Sequence, residues 1–180
     1  MENEKYYATI RNLNYEQREI FDDILLRKKI EPSLPIHLFL TGGGGTGKTH
    51  TLLLLVQALQ HIYLRSKEFD TEKPQILLMA YISKAAYNIG GTTIHLTLHL
   101  PIVTKTHTSL SSEKLNVLSE QYKNLSLVSL IGLNTFSLAD SRLRQILHKC
   151  NKPFGGVDVI LCGDLFQENA MQRSWIFKPQ

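Results

Sequence analysis

The chain has 180 residues, enough for one α/β domain and too few for two. Hydrophobic residues make up 43% and charged residues 20%, a balance that supports a buried core and excludes a disordered chain. Twenty Lys and Arg against sixteen Asp and Glu leave a net charge of +4, which accommodates a nucleic-acid partner without requiring one. Cys150 and Cys162 show no CxxC or Cys/His spacing, which argues against a zinc site or disulfide scaffold and for a reducing compartment. No apolar run approaches the roughly 18 residues of a membrane span, and the first ten residues lack a hydrophobic signal core. The expectation is a soluble intracellular α/β domain, or a piece of a larger protein.

Asn14 with Gln17 three residues later has capping-box spacing and predicts a helix start; Ile20, Phe21, Ile24 and Leu25 then form its apolar stripe. Arg27, Lys28 and Lys29 suit the negative end of that helix's dipole, and Glu31–Pro35 breaks the chain. A short apolar strand, Ile36–Leu40, runs into four glycines. From Thr49 to Arg65, Leu52, Leu55, Val56, Leu59 and Ile62 repeat as one helical face. A polar loop, Ser66–Pro74, leads to a second strand, Ile76–Ala80. Pro101–Ser112 is a Thr-, Ser- and His-rich linker before a surface helix over Ser111–Asn124. Leu127–Leu133 predicts a third strand, Asp140–Lys149 a basic amphipathic helix, and Val157–Cys162 a fourth strand. This alternation predicts an α/β three-layer sandwich, a mostly parallel sheet covered on both faces.

Gly42-Gly43-Gly44-Gly45-Thr46-Gly47-Lys48-Thr49 matches GxxxxGK[ST] in full, between a strand and an amphipathic helix. Glycines let successive backbone N–H groups turn into one concavity that holds phosphate oxygens, and the following helix adds its positive dipole end. Lys48 is the point charge for the β- and γ-phosphates, and the Thr49 hydroxyl is a Mg²⁺ ligand. The loop fixes a P-loop nucleotide site and leaves the reaction open, since kinases, motors, helicases and switches share it.

Such a hydrolase also needs a carboxylate at a strand end for the Mg²⁺ shell and a second acid to orient the attacking water. The stretch Leu127–Thr135 carries no acid, and the next, Asp140, falls at the start of a predicted helix. Asp164, after Val157–Cys162, is the remaining candidate: a metal ligand, a strand-end sensor, or a turn aspartate after Gly163.

Several separated strings resemble the PIF-type (petite integration frequency) helicases of superfamily one, including the helitron-encoded branch. LNYEQREIF (Leu13–Phe21) looks like the family's adenine-side Q motif, with Gln17 as the recognising residue; Gln17 can equally serve as capping partner of Asn14. LFLTGGGGTGKT (Leu38–Thr49) is similar to its phosphate loop. KAAYNIGGTTIHLTLHLP (Lys84–Pro101) is similar to the segment that contacts single-stranded DNA, which implies Lys84, Thr92, Thr93 and His95 as contacts. DSRLRQI (Asp140–Ile146), PFGGVDVILCGDLFQ (Pro153–Gln167) and WIFKP (Trp175–Pro179) complete the resemblance, which implies Gln167 as a γ-phosphate sensor. Arg142 and Arg144 read as a solvated helix face.

The resemblance implies a single N-terminal RecA-like domain over 1–180, without the second RecA-like domain and its arginine finger. It also implies ATP and Mg²⁺ as cofactors, single-stranded DNA as partner, a nuclear monomer, and 5′-to-3′ translocation in telomere maintenance, recombination and repair. Departures matter. The family's Asp-Glu pair is missing where Leu130-Ile131 runs into Gly132; Ile82-Ser83 replaces an expected Thr-Gly; Glu168-Asn169-Ala170-Met171 replaces LPPV. The expectation is therefore a truncated or divergent copy that binds ATP and hydrolyses it poorly. The alternatives are a catalytically dead, transposon-derived nucleotide- and DNA-binding remnant, a small kinase sharing the loop, and a misplaced exon boundary at Ile131–Gly132. Losing a block at a strand end also puts the pairing of Leu130 and Ile131 at risk.

Overall fold

The computed structural model describes residues 3–66, 73–101, 110–132 and 136–164. Five strands form one all-parallel sheet: β1 (His37–Thr41), β2 (Ile76–Ala80), β3 (Thr92–Thr93), β4 (Leu127–Ile131) and β5 (Asp158–Gly163), in the order β1-β5-β4-β2-β3. Parallel neighbours need crossovers, and the helices that supply them cover both faces. The expected α/β three-layer sandwich is what the chain forms.

One face carries α1 (Asn3–Arg11), α2 (Tyr15–Ile30) and α3 (Lys48–Ser66), joined in a core with Leu40, Leu127, Ile160 and Cys162. The opposite face carries α5 (Ile94–Thr97), α6 (Ser112–Gln121) and α7 (Phe136–Ile146) over Met79, Val128, Leu130 and Val159. Alternation along β4 and β5 divides the two cores: Leu127 and Ile160 face one, Val128 and Val159 the other. A small third cluster packs α4 (Ser83–Asn88) through Ala86 and Ile89 against Ala80.

Helix α2 starts where its caps predict. The Asn14 side chain accepts from Gln17 N at 2.8 Å, and Gln17 Oε1 accepts from Asn14 N at 3.3 Å. Helix α3 departs from the expected single apolar face, because Leu54 and Ala58 are buried together with Leu52, Leu55 and Leu59. Packing against both α2 and the sheet buries a wider arc than one stripe, while His50, Gln60 and His61 stay exposed. Helix α1 carries no comparable sequence signal; Tyr6 and Ile10, one turn apart, dock it on the core, and packing rather than propensity stabilises so short a helix.

Two expectations are corrected. Lys28 does not merely neutralise a helix end: it is buried, and its ammonium lies 2.8 Å from Asp158 Oδ2. Helix α7 begins at Phe136, four residues before Asp140, so Asp140 lies in its second turn. There the Asp140 carboxylate accepts from Phe154 N at 2.6 Å and from Arg144 Nε at 2.9 Å, fixing the 3-10 turn Pro153–Gly156 that feeds β5. Pairing at the end of β4 is intact: Leu130 aligns with Met79 and Leu161, and Ile131 with Ala80 and Cys162. The sheet therefore tolerates the four-residue connection 132–135 between β4 and α7 without a register slip.

Candidate nucleotide site

All five strands point the same way, so their carboxyl ends share one edge of the sheet, where ligands of open α/β sheets bind. The glycine loop leaves that edge after β1, and α3 begins at Lys48. Unlike the interior, the first turn of α3 has backbone N–H groups with no intrahelical partner, aimed at the loop. No acidic residue occupies that turn to compete with an anion.

The side chains at the loop converge on it. Lys48 Nζ donates to the carbonyls of Gly42 and Gly43, both at 2.7 Å, and Thr46 Oγ1 donates to Gly43 O at 3.0 Å. Gln17 Nε2 donates to Thr46 O at 3.1 Å. Gln17 thus has two partners: its amide oxygen closes the capping box while its nitrogen reaches the phosphate loop. Gly47 sits at φ +80, and a Cβ there would lie 2.7 Å from Gln17 Nε2. Only glycine meets both demands, the left-handed backbone and the close approach of Gln17.

Register places the remaining candidate acid. Thr41 pairs with Gly163, so Gly42 and Asp164 are the next residue on each strand. Asp164 thereby directly follows β5, the strand adjacent to β1, at the edge that the loop leaves. The strand expected to bear the Mg²⁺-holding pair, β4, lies one further away, and residues 127–139 contain no Asp or Glu. Among the described residues no group of three or more His, Cys, Asp or Glu converges as a metal site. A cation here would thus rest on phosphate oxygens, with Thr49 and Asp164 as the protein's contribution. Cys162, on the α3 side of β5, is pushed up to about 12 by burial, with the Lys48 charge acting weakly the other way. Gln167 lies outside the described residues, as do Trp175–Pro179.

The second group of candidates stands at the same edge, beyond β5 and β4. Lys84 is exposed on α4. The Thr92 hydroxyl bonds that of Thr97, and Thr93 N-caps α5, its Oγ1 accepting from Leu96 N at 3.4 Å. His95 packs edge-to-face on Tyr81, ring centroids 5.3 Å apart. The two threonines thus have local structural work of their own, whereas Lys84 faces solvent. Sequence reading passed over Tyr87, 85% exposed and one turn beyond Lys84; its place three residues after a lysine on a short helix was the available signal. It also misjudged Arg142, which is 4% exposed rather than solvated; Arg144 is half-buried against Asp140. The clue was the spacing of Ala139, Arg142, Leu143 and Ile146, one stripe of α7.

Comparison with known proteins decides the family. Residues 12–173 match the PIF1-like helicase family. The chain belongs to that family. This PIF1-like chain is 30% identical over 165 residues to the ATP-dependent DNA helicase PIF7 of Trypanosoma brucei brucei, covering 86% of this chain and 15% of that protein. It is 31% identical over 138 residues to the ATP-dependent DNA helicase RRM3 of Saccharomyces cerevisiae, covering 73% of this chain and 18% of the relative. Among solved structures, Bacteroides Pif1 helicase in complex with ADP-AlF3 and single-stranded DNA superposes with a TM-score of 0.57 at 25% identity, over 86% of this chain and 32% of that one. The PIF1-like chain therefore spans about a sixth of the length of those two helicases. Among its described residues no helix is long and apolar enough to cross a membrane.

Proposed function

We propose that this chain is a RecA-like nucleotide-binding unit of an ATP-dependent DNA helicase, that it binds ATP with Mg²⁺ and single-stranded DNA, and that it turns ATP over slowly. The observation that supports the reading is the Gln17 amide donated to Thr46 O, which ties the residue that the family resemblance sets against the base to the phosphate loop. Lys48 would exchange the Gly42 and Gly43 carbonyls for phosphate oxygens, a stronger charge-assisted partner. Bound Mg²⁺ would neutralise phosphate charge, with Thr49 and Asp164 holding its shell. Lys84 and His95 would meet the strand, and the exposed Tyr87 ring offers a face for a base.

Slow turnover follows from the acid-free end of β4. A residue that positions or deprotonates the attacking water contributes about 10²–10⁴-fold, and an arginine finger about 10³–10⁵-fold. The described residues bring no second carboxylate to the loop beside Asp164, which supports binding with slow hydrolysis. This absence also favours the second reading, a nucleotide- and DNA-binding protein with no turnover.

Titration with a fluorescent ATP analogue tests the first step: saturable binding that Lys48→Ala abolishes supports the site, and its absence overturns it. Phosphate release with and without oligothymidylate separates the two readings. A slow, DNA-stimulated rate supports the helicase unit, none supports the inert binder, and a rate typical of complete helicases refutes both.

A further inference from the structure

Among the described residues β1 is an edge strand, paired through β5 alone. Parallel pairing uses alternate residues. Ile36 O accepts from Val159 N, so Ile36, Leu38 and Leu40 turn their backbone groups to β5, and His37, Phe39 and Thr41 turn theirs outward. Those outward N–H and C=O groups have no hydrogen-bond partner among the described residues. The strand, His-Leu-Phe-Leu-Thr, also carries none of the devices that blunt an edge: no lysine, no acid, no proline and no break in register. The opposite edge strand, β3, is only two residues long. Side chains agree with the backbone. Phe39 is half-buried yet joins neither main core of the described residues. On the α2 side a groove of about 470 Å³ runs beside β1, lined by Ile30, Leu34 and Leu38, with Ile30 68% and Leu34 60% exposed. Its ionisable groups are two acids, Asp23 and Glu31, and two bases, Arg27 and His37. So balanced a wall suits a copy of itself turned about a two-fold axis, and gives a strongly charged partner no hold.

We infer that the β1 edge is a homodimer interface, joining two copies antiparallel about a two-fold axis at Phe39. The alternation fixes the register. Phe39 faces the partner's Phe39 and His37 the partner's Thr41, each pair exchanging two hydrogen bonds, so every outward group from His37 to Thr41 is satisfied. Leu38 meets the partner's Leu40 on the α2 side, where the two grooves merge over Ile30 and Leu34. The two sheets become one, and the phosphate loops, each at the carboxyl end of its β1, stand at opposite ends of the joint. The inference is independent of the nucleotide and strand-binding readings above.

The test uses the 180-residue chain, with Cys150→Ser removing the exposed thiol. Sedimentation over a concentration series should show a reversible dimer of twice the 20.5 kDa chain. Ile30→Lys puts a charge at an exposed position of the merged groove. It should raise the dissociation constant about 10-fold or more while the far-UV circular dichroism stays that of the parent. Phe39→Pro removes the central N–H, which β5 does not use, and should abolish association. Cysteines read the register. Phe39→Cys should close an interchain disulfide on mild oxidation, because the two-fold sets its Cα about 5.5 Å from its mate. His37→Cys should not, because about 14 Å separates it from its own mate. A parent that stays monomeric overturns the inference; if its Phe39 amide is nonetheless protected from hydrogen exchange, another segment of the chain covers the edge. A dimer indifferent to both Ile30→Lys and Phe39→Pro, or crosslinked equally through either cysteine, places the contact elsewhere and also refutes it.

Discussion

Replacing Asp158 by Asn should cost the protein about 3–5 kcal/mol of stability without loosening the nucleotide site. Asp158 is 2% exposed at the start of β5 and serves four contacts. Its carboxylate lies 2.8 and 3.0 Å from the Lys28 ammonium, accepts from Ile36 N at 2.8 Å, and accepts the Tyr63 hydroxyl. One carboxylate thus pins α2, α3 and the entry to β1 onto β5. The amide keeps the shape but leaves Lys28 as a buried charge with no counter-ion, and that uncompensated charge sets the magnitude. Lys28→Met should be costly for the converse reason, and the double variant should lose less than the sum of the two singles. Urea unfolding of the four proteins gives the coupling. The pin lies at the amino ends of the strands, opposite the loop, so folded Asp158→Asn should bind the ATP analogue as the parent does. A loss below about 1 kcal/mol, or singles additive to within about 0.5 kcal/mol, would refute the reasoning. Tyr63 adds a pH signature. Burial, and then the Asp158 charge, raise its pKa above the ordinary value of 10.0. The folded protein therefore holds that proton longer than the unfolded chain, and the contribution is full below about pH 10 and lost as pH rises beyond it. Tyr63→Phe should be less stable at pH 7, with its deficit shrinking by about 1.4 kcal/mol per unit above pH 10. A constant deficit would show that the hydroxyl does not titrate as argued.

Gln17→Glu keeps the acceptor for Asn14 N but places a carboxylate against Thr46 O. It should unfold near the parent temperature yet bind the ATP analogue about 5- to 10-fold more weakly, the worth of one net hydrogen bond, and equal affinity would contradict the dual role. The Ser129 hydroxyl is fully buried in β4 with no hydrogen-bond partner among the described residues, so Ser129→Ala should raise stability by about 1 kcal/mol in urea unfolding; a loss would point to a partner or a tight fit. Cys150 is exposed while Cys162 is buried and pushed up to about 12, so a thiol reagent at pH 8 should label one cysteine quickly and the second only in denaturant. Rapid labelling of both would mean that β5 opens at its carboxyl end.

The local rules of the chain determined a great deal alone. The Asn14–Gln17 spacing set the start of α2 because both halves of a capping box lie within four residues. The GxxxxGKT string located the loop because phosphate cradling needs glycine, lysine and hydroxyl in one order. The strand Ile76–Ala80 was legible as an unbroken apolar run because a parallel strand is buried on both faces. Absence of acids from Leu127 to Thr135 was equally a property of the string. What needed the tertiary structure was every relation across the sheet. Only the order β1-β5-β4-β2-β3 puts Asp164 after the strand next to β1, at the edge that the loop leaves, and the end of β4 one strand away. Only packing turns Lys28 and Arg142, two ordinary basic residues in sequence, into buried charges, because burial depends on which helices arrive from elsewhere. The short pieces α4, β3 and α5 escaped notice for the same reason: with two to six residues each, they are held by neighbours rather than by their own periodicity.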